Sequence, residues 1–193
     1  MKRRILRWRY ALAALAVVVL LIAGICSAHA DGGEPWVLID TRALTLTVYS
    51  AAGKPLARFR NISLGRGGVA AVHLKGDRTT PLGRFRIAWI DSHSRFDLFF
   101  GLDYPTLSIA QDAYTRHLIG RKDFNTVFDA LLAGRLPPQD TALGGEIGIH
   151  GLGQGDPRIQ RDLNWTDGCV ALTNAQIQAL ARWIRIGTEV VIR

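Results

Sequence analysis

Two residues of reactive type, each bordered by glycine, stand in the last quarter of the chain. His150 lies within Gly-Ile-His-Gly, and Cys169 lies within Thr-Asp-Gly-Cys-Val. A thiolate attacks carbonyl carbon, and a nearby imidazole can take the thiol proton and return it to a leaving amine. The Gly151 carbonyl can hold the other imidazole nitrogen and fix its tautomer. The pair therefore predicts acyl transfer, with Cys169 as the nucleophile and His150 as its base.

The same residue types also have structural explanations. A histidine at a strand end is more often a hydrogen-bonded structural residue, and a cysteine can be an inert core residue. Sequence separation does not show that two side chains meet in space. The pair alone leaves both interpretations open.

The first thirty residues have the pattern of a secretory signal peptide. Residues 1–9 carry five basic side chains and no acid, residues 11–25 form an apolar run, and Ala28-His29-Ala30 provides small residues for cleavage. The apolar run is shorter than the roughly 20 residues that span a bilayer, which favours cleavage after Ala30 over an uncleaved membrane anchor. We therefore expect residues 31–193 to act as one domain in the periplasm, with membrane contact only through an uncleaved leader.

Loss of this leader changes the charge and the cysteine count. The chain has 24 basic and 16 acidic residues, so removal of five basic residues leaves 19 against 16, a balance of +3. Such a balance argues against nucleic-acid binding and is compatible with an anionic wall polymer. Cys26 leaves with the leader, so Cys169 has no disulfide partner in its own chain.

Hydrophobic patterns predict a mainly β domain with a helical insertion. Residues 44–49 alternate apolar and polar side chains as in a half-buried strand, and residues 56–62 form its hairpin partner. Residues 85–90 are a further strand, and residues 91–145 are the insertion. Two helices are predicted within it, at 109–118 and 124–133.

The last third returns to β structure around the reactive pair. Residues 147–150 and 170–172 are short predicted strands. Thr173 and Gln176 have the spacing of a capping box, which predicts a helix to about Trp183. A final strand is expected at 188–192.

The spacing and flanks of His150 and Cys169 resemble the L,D-transpeptidase (YkuD-type) catalytic domain family, in its murein L,D-transpeptidase branch. The family pattern is His-Gly, a gap, then Ser/Thr-x-Gly-Cys and a hydrophobic residue; here fourteen residues separate Gly151 from Thr166. Residues 76–85 resemble the family segment G-D-x-x-T-P-x-G-x-F/Y. Residues 94–96 and 103–105 look like the linking region of the branch, so that the resemblance covers residues 35–193.

This resemblance implies an L,D-transpeptidase-like β-sandwich with Cys169 at the base of a groove. Cys169 would attack the carbonyl of the third residue of a peptidoglycan stem peptide, and a second stem amine would resolve the thioester into a 3–3 crosslink. His150 would act as base and then acid, oriented by Gly151. The backbone amides of the oxyanion hole would come from Asp167, Gly168 and Cys169. No metal or organic cofactor is implied, and carbapenem-type inhibitors are expected to react.

Two departures from the family pattern bear on the site. Asp167 stands where many members have histidine, and a carboxylate there would raise the pKa of a nearby imidazole. Ala171 stands where many members have an arginine linked to positioning the site or substrate, which leaves substrate choice open.

Four further residues are candidate contacts to the stem peptide: Arg84, Tyr104, Trp165 and Thr166. The structural alternatives are a solvated charge for Arg84 and core positions for the aromatic residues. The remaining histidines, His73, His93 and His117, show no metal-ligand spacing, so no metal site is predicted.

Three functions are therefore considered for the chain. The first is transfer of a stem acyl group to an amine. The second is hydrolysis of the same thioester, which would make the chain an L,D-carboxypeptidase or a peptide amidase. The third is a non-catalytic wall-binding domain with an inert thiol.

Overall fold

The computed structural model describes residues 33–193. The predicted signal peptide and Cys26 lie outside the described residues. Within the described residues, no helix combines the length and the apolar content needed to cross a membrane.

Most strands belong to one mixed sheet of eight strands, and a short parallel pair stands apart from it. The order in the large sheet is β3-β2-β1-β10-β6-β7-β8-β9, and the pair is β4-β5. The strands are β1 (Trp36–Asp40), β2 (Thr45–Tyr49), β3 (Pro55–Arg60), β4 (Val69–Ala70), β5 (Thr80–Pro81), β6 (Gly83–Asp91), β7 (Phe99–Leu102), β8 (Gly148–His150), β9 (Val170–Ala171) and β10 (Glu189–Ile192). The helices are α1 (Leu107–Thr115), α2 (Arg121–Leu132), α3 (Pro157–Asp162) and α4 (Asn174–Leu180). The predicted mainly β fold is confirmed.

The first hairpin forms because its apolar residues alternate in register. Val37 of β1 lies opposite Val48 of β2, and Ile39 lies opposite Leu46. All four side chains are buried on one face of the sheet. The last strand, β10, adds to β1 in parallel and places Val190 beside Val37 on the same buried face. The two ends of the described chain are therefore joined through the core.

The helical insertion is confirmed, but it contains a strand that the sequence patterns did not predict. Thr106 caps α1, and α2 begins directly after Gly120, so both helices begin earlier than expected. Residues Phe99–Leu102 form β7, which pairs with β6 on one side and β8 on the other. The expected break between strands at residue 91 is therefore wrong, since the sheet continues through β7 to the strand that carries His150.

The end of the sheet brings the segments that carry the two reactive residues onto neighbouring strands. Strands β8 and β9 are parallel neighbours, with Ile149 beside Val170 and His150 beside Ala171. Cys169 directly precedes β9. The capping box of α4 is confirmed, because the Thr173 side chain accepts from the backbone N–H of Gln176 and the Gln176 side chain accepts from that of Thr173. The helix ends at Leu180, before the predicted Trp183.

A short helix, α3, lies between the two motifs and was not predicted. Asp156 caps it through the backbone N–H of Arg158, and Pro157 occupies its first turn. Both are ordinary signals for a helix start. The helix has six residues and little periodicity, which is why hydrophobic patterns did not reveal it.

Candidate active site

His150 and Cys169 line one open cleft of about 830 Å³. The parallel pairing of β8 with β9 explains how residues far apart in sequence reach the same site. Aromatic side chains form much of the wall, and acidic groups form another part. The aromatic lining residues are Trp89, Phe96, Phe99 and Trp165; the acidic ones are Asp91, Glu146 and Asp167.

The tautomer of His150 suits a general base. Its Nδ1 lies 2.6 Å from the carbonyl oxygen of Gly151, and a carbonyl can only accept, so Nδ1 carries the proton. In the neutral ring Nε2 is then free to accept another proton. The ring is 2 % exposed, and this burial lowers the pKa of His150 to about 4; the Gly151 bond opposes the shift and Arg95 adds to it.

Three aromatic rings surround the His150 imidazole. Phe96 stacks on it at 4.2 Å between ring centroids, Phe99 lies nearly parallel to it at 5.8 Å, and Trp165 meets it edge-on at 5.7 Å. These rings exclude water, which accounts for the desolvation of His150. The faces of Phe96 and Phe99 also attract a cation, which favours the imidazolium that forms when the base takes a proton.

The glycines around His150 make room for this wall. A methyl group on Gly148 would lie 2.5 Å from the Phe99 ring and 2.6 Å from the Phe100 carbonyl oxygen. One on Gly151 would lie 2.6 Å from the carbonyl oxygen of Phe96. All three distances are too short for a contact to a side-chain carbon. The Gly-Ile-His-Gly sequence is therefore required for close packing around the base.

Cys169 rests with its thiol turned toward a backbone carbonyl. Its Sγ donates to the Glu146 carbonyl oxygen at 3.3 Å, and no hydrogen bond joins it to His150 among the described residues. The residue is partly exposed to the cleft. Burial of the sulfur nevertheless raises the pKa of the thiol to about 12; a backbone bond from Gly148 opposes this, and the Glu146 and Asp167 carboxylates add to it.

The resting pair is consequently neutral. At pH 7 a thiol with a raised pKa keeps its proton, and an imidazole with a lowered pKa does not take one. In this conformation the thiol donates to the Glu146 carbonyl oxygen and not to His150. The geometry suits proton transfer during attack on a substrate, not a preformed thiolate–imidazolium pair.

A threonine hydroxyl organises the loop that carries Cys169. The Thr166 Oγ1 donates to the Cys169 carbonyl oxygen at 2.6 Å and accepts from the Gly168 backbone N–H at 3.2 Å. Thr166 lines the cleft, as expected for a substrate contact, but its hydroxyl is occupied within the loop. The Gly168 amide is likewise occupied. Of the three predicted oxyanion donors, the amides of Asp167 and Cys169 remain available in this conformation.

The segment at residues 76–85 supports this loop from below. Gly168 has φ +137°, and a methyl group on it would lie 2.9 Å from the Thr79 carbonyl oxygen and 3.2 Å from the His73 ring. His73 in turn lies with Nδ1 2.8 Å from that oxygen and 2.9 Å from Asp77 Oδ1. Asp77 also accepts from the Thr79 backbone N–H. The Gly-Asp-x-x-Thr segment therefore fixes the floor on which the nucleophile loop rests.

Asp167 does not act on the imidazole as expected. Its carboxylate lies 2.6 Å from Arg66 and 3.7 Å from Arg78, at the exposed rim of the cleft. The pKa of His150 is lowered, not raised, since burial dominates it. The expected upward shift is wrong because the two arginines engage the carboxylate.

Trp165, a candidate stem-peptide contact with a core position as the alternative, forms part of the wall of the cleft. Its Nε1 donates to the Gln160 side-chain oxygen at 2.9 Å, so the unpredicted α3 fixes its orientation. Its edge meets the imidazole, which makes it part of the wall around the base.

Arg84 and Tyr104 do not lie in this cleft, and their assignment as substrate contacts is wrong. Arg84 stands on the outer face of β6, where it pairs with Glu189 at 2.6 Å and lines a separate groove. Tyr104 is fully buried, and its hydroxyl donates to the His73 carbonyl oxygen at 2.6 Å. It is a core residue that supports the floor under the nucleophile loop.

Ala171 stands where many family members have an arginine, so this position carries no positive charge. It is buried in β9 and exchanges two backbone hydrogen bonds with Ser63, at 2.8 and 2.9 Å. Phe99, which the sequence arguments missed, and Phe96, which entered them only within a linking segment, form the wall around the base. Their nearness to His150 depends on the pairing of β7 with β8, which local patterns do not encode.

Solved structures with a similar fold are longer than this chain. Bd1075 from Bdellovibrio bacteriovorus is 19% identical with a TM-score of 0.53, over 86% of this chain and 50% of that one. The helical cell shape determining protein Pgp2 from Campylobacter jejuni is 20% identical with a TM-score of 0.56, over 83% and 47%. The chain thus spans about half the length of these structures. An L,D-transpeptidase from Mycobacterium smegmatis has a TM-score of 0.45 at 18% identity, over 84% and 59%.

Sequence comparison assigns the family directly. No curated protein matches the chain. Residues 34–192, nearly all of the described part, match the family described as the L,D-transpeptidase catalytic domain, YkuD. The His-Gly and Thr-x-Gly-Cys segments of that domain are those that meet in the cleft. The chain belongs to the YkuD family of L,D-transpeptidase catalytic domains.

Proposed function

We propose that the chain is a periplasmic L,D-transpeptidase that acts on peptidoglycan stem peptides through a Cys169 thioester. The observation that carries this proposal is the meeting of His150 and Cys169 in one open cleft of a YkuD domain. The third possibility, a wall-binding domain, gives no reason for a base with a free Nε2 in the same cleft as a thiol.

Acylation begins with rotation of the thiol away from the Glu146 carbonyl. Nε2 of His150 takes the thiol proton as the sulfur attacks the carbonyl carbon of the third stem residue. The amides of Asp167 and Cys169 donate to the oxyanion. The carbon–nitrogen bond then breaks, His150 returns its proton to the departing D-alanine amine, and the stem remains bound to sulfur as a thioester.

Resolution of the thioester reverses these roles. The amine of a second stem attacks the thioester carbonyl and gives one proton to His150. The carbon–sulfur bond breaks, the sulfur regains that proton, and a 3–3 crosslink is released. With water as the attacking group, the same steps give a carboxylate, which is the hydrolytic alternative.

The neutral resting pair fits this sequence of steps. A raised thiol pKa and a lowered imidazole pKa keep the proton on sulfur until a carbonyl is in place. A thiol that is mostly protonated reacts slowly with oxidants, which suits a lone cysteine in an oxidising compartment.

Intact mass measurement with a carbapenem tests the nucleophile. The wild-type protein is expected to gain the mass of one inhibitor, and Cys169→Ala to gain none. His150→Ala is expected to react about 10²–10⁴-fold more slowly, the usual contribution of a positioned base. A wild-type protein that stays unmodified, or a Cys169→Ala protein that still gains the adduct, contradicts the assignment.

Muropeptide products separate transfer from hydrolysis. Incubation with disaccharide tetrapeptides is expected to give 3–3 dimers and free D-alanine. Tripeptides without dimers would support the hydrolytic alternative while leaving the Cys169 thioester intact. Sequencing of the mature N-terminus tests export, for which a start at Asp31 is expected.

A further inference from the structure

One cation in the cleft has no ion-pair or hydrogen-bond partner among the described residues. Arg95 is the only arginine or lysine among the residues that line the cleft. Among the described residues its guanidinium makes neither an ion pair nor a hydrogen bond, whereas Arg66 and Arg78 near the same rim engage Asp167. An arginine whose five N–H donors are unused is suited to bind an anion.

The place of Arg95 is fixed relative to the base. Its guanidinium carbon lies 4.7 Å from the centroid of the Phe96 ring, and that ring stacks on His150 at 4.2 Å. The backbone is held as well, because a methyl group on Gly153 would lie 2.1 Å from the Arg95 carbonyl oxygen. The positive charge is therefore held one aromatic layer from the imidazole, where it helps to lower its pKa.

The other charges of the cleft leave an anion few places to bind. Asp91 and Glu146 line the cleft without ion pairs, and both repel a carboxylate. Asp167 is also acidic and already engaged. The remaining titratable lining groups are the imidazoles of His93 and His150 and the Cys169 thiol. A substrate carboxylate that enters the cleft thus meets one permanent cation.

Arg95 also stands between the cleft and a smaller groove of about 290 Å³. Phe96 and Trp165 line both spaces, and Leu152 and Ile159 give the smaller groove an apolar wall. A stem peptide that crosses this junction places a carboxylate within reach of the guanidinium while its apolar part contacts the rings.

We propose that Arg95 binds a free carboxylate of the stem peptide and makes the enzyme prefer substrates that carry it. This inference rests on the proposed function, since it names the group of the stem that the cleft selects. Arg95 would also supply a positive charge to a cleft in which Ala171 replaces the arginine of many family members. Two stem carboxylates share this chemistry, the C-terminal one and that on the side chain of the third residue.

The test compares three tetrapeptide stems with wild-type protein, Arg95→Gln and Arg95→Lys. One stem has all carboxylates free, one is amidated at its C-terminus, and one is amidated on the third side chain. Wild-type kcat/KM is expected to fall about 10–100-fold for one of the two amides, the usual effect of losing a charge-assisted hydrogen bond. The amide that causes the fall identifies the carboxylate.

Arg95→Gln is expected to lose this preference, mainly through a higher KM for the free acid, and Arg95→Lys to keep part of it. A purely structural role, such as support of the Phe96 ring, would lower activity on all three stems alike and leave their ratio unchanged. Arg121→Gln, at an exposed arginine on α2 away from the cleft, is the matched control and should behave as wild type.

The outcomes separate this inference from the proposed function. Equal activity of the wild type on all three stems, or an unchanged preference in Arg95→Gln, overturns the role of Arg95 alone. A protein that reacts with a carbapenem but turns over none of the stems overturns the role of Arg95 and the stem-peptide substrate together, and leaves only the Cys169 nucleophile supported. A protein that shows neither adduct nor turnover overturns the proposed function as well.

Discussion

The two sides of the cleft are built by different forces. The side that carries His150 is an aromatic wall, with rings 4.2 to 5.8 Å from a buried imidazole. The side that carries Cys169 is a polar loop held by the Thr166 hydroxyl, with the Thr79 carbonyl packed closely under Gly168. The base is thus set by packing and desolvation, and the nucleophile by a few hydrogen bonds.

This difference predicts which kind of substitution affects each side of the cleft. Close packing around His150 leaves no space for even one methyl group at Gly148 or Gly151. The loop around Cys169 lies partly at the surface, and Asp167 at its rim is mostly exposed. We expect changes near the base to act through volume, and changes near the nucleophile to act through hydrogen bonds.

The largest expected effect comes from the burial of His150. The pKa of the His150 imidazole is about 6.5 in the unfolded chain. Burial lowers this pKa to about 4 in the folded protein. The unfolded state therefore binds more protons between these values, and stability falls as pH drops from 6.5 to 4. His150 therefore lowers the free energy of unfolding by about 3 kcal/mol over this pH range.

Urea unfolding at several pH values checks this difference. His150→Gln removes the titrating group, so its free energy of unfolding should decline less than that of the wild type over this range. His93→Gln, which changes an exposed imidazole of the same cleft, is the control for loss of a histidine. Parallel wild-type and His150→Gln curves would mean that the aromatic wall does not desolvate the base.

A methyl group at Gly148 is expected to have the next largest effect. It would meet the Phe99 ring and the Phe100 carbonyl, and the carbonyl belongs to a paired strand that cannot move freely. Overpacking of this kind costs about 2 kcal/mol. Gly120→Ala is the matched control, because no atom lies within 4 Å of the added methyl. Thermal unfolding should show a clear drop in Tm for Gly148→Ala only; equal drops would refute the tight wall.

Local sequence signals predicted the parts of this fold that depend on neighbours in the chain. The capping box at Thr173 and the strand at residues 44–49 depend on signals within a few residues, and both are found in the structure. The strand is not half-buried as expected, because Thr45 and Thr47 are buried as well as its apolar residues. The Gly-Asp-x-x-Thr segment and the two reactive motifs also pointed to one domain. These features require no knowledge of which strands become neighbours.

Features that depend on strand order escaped prediction. Strand β7 is four residues of apolar character with a glycine, so it lacks the alternation that reveals an exposed strand. Its place beside β8 brings Phe99 to His150. Tyr104 was a candidate substrate contact, but its side chain is buried in the core. The same missing information misplaced Arg84, which lies at the start of β6 beside a separate groove, whereas Trp89 and Asp91 near the other end of that strand line the cleft.

The smallest expected effect concerns the nucleophile loop, and it decides whether hydrogen bonds hold that side. Thr166→Val keeps the shape of the side chain but removes the hydroxyl between the Cys169 carbonyl and the Gly168 amide. Loss of these bonds is expected to cost roughly 1 kcal/mol of stability. The rate of carbapenem adduct formation should fall by more than this cost suggests, because the sulfur and the oxyanion donors lie on the same loop.

Thr166→Ser keeps the hydroxyl and should restore both quantities toward the wild type. Thr126→Val, whose hydroxyl bonds the Lys122 carbonyl on the surface of α2, should change stability by less than about 0.5 kcal/mol and leave the adduct rate unchanged. If Thr166→Val forms adduct at the wild-type rate, the loop keeps its shape without the hydroxyl. The floor formed by His73 and Thr79 would then be sufficient to hold Cys169, and both sides of the cleft would depend on packing.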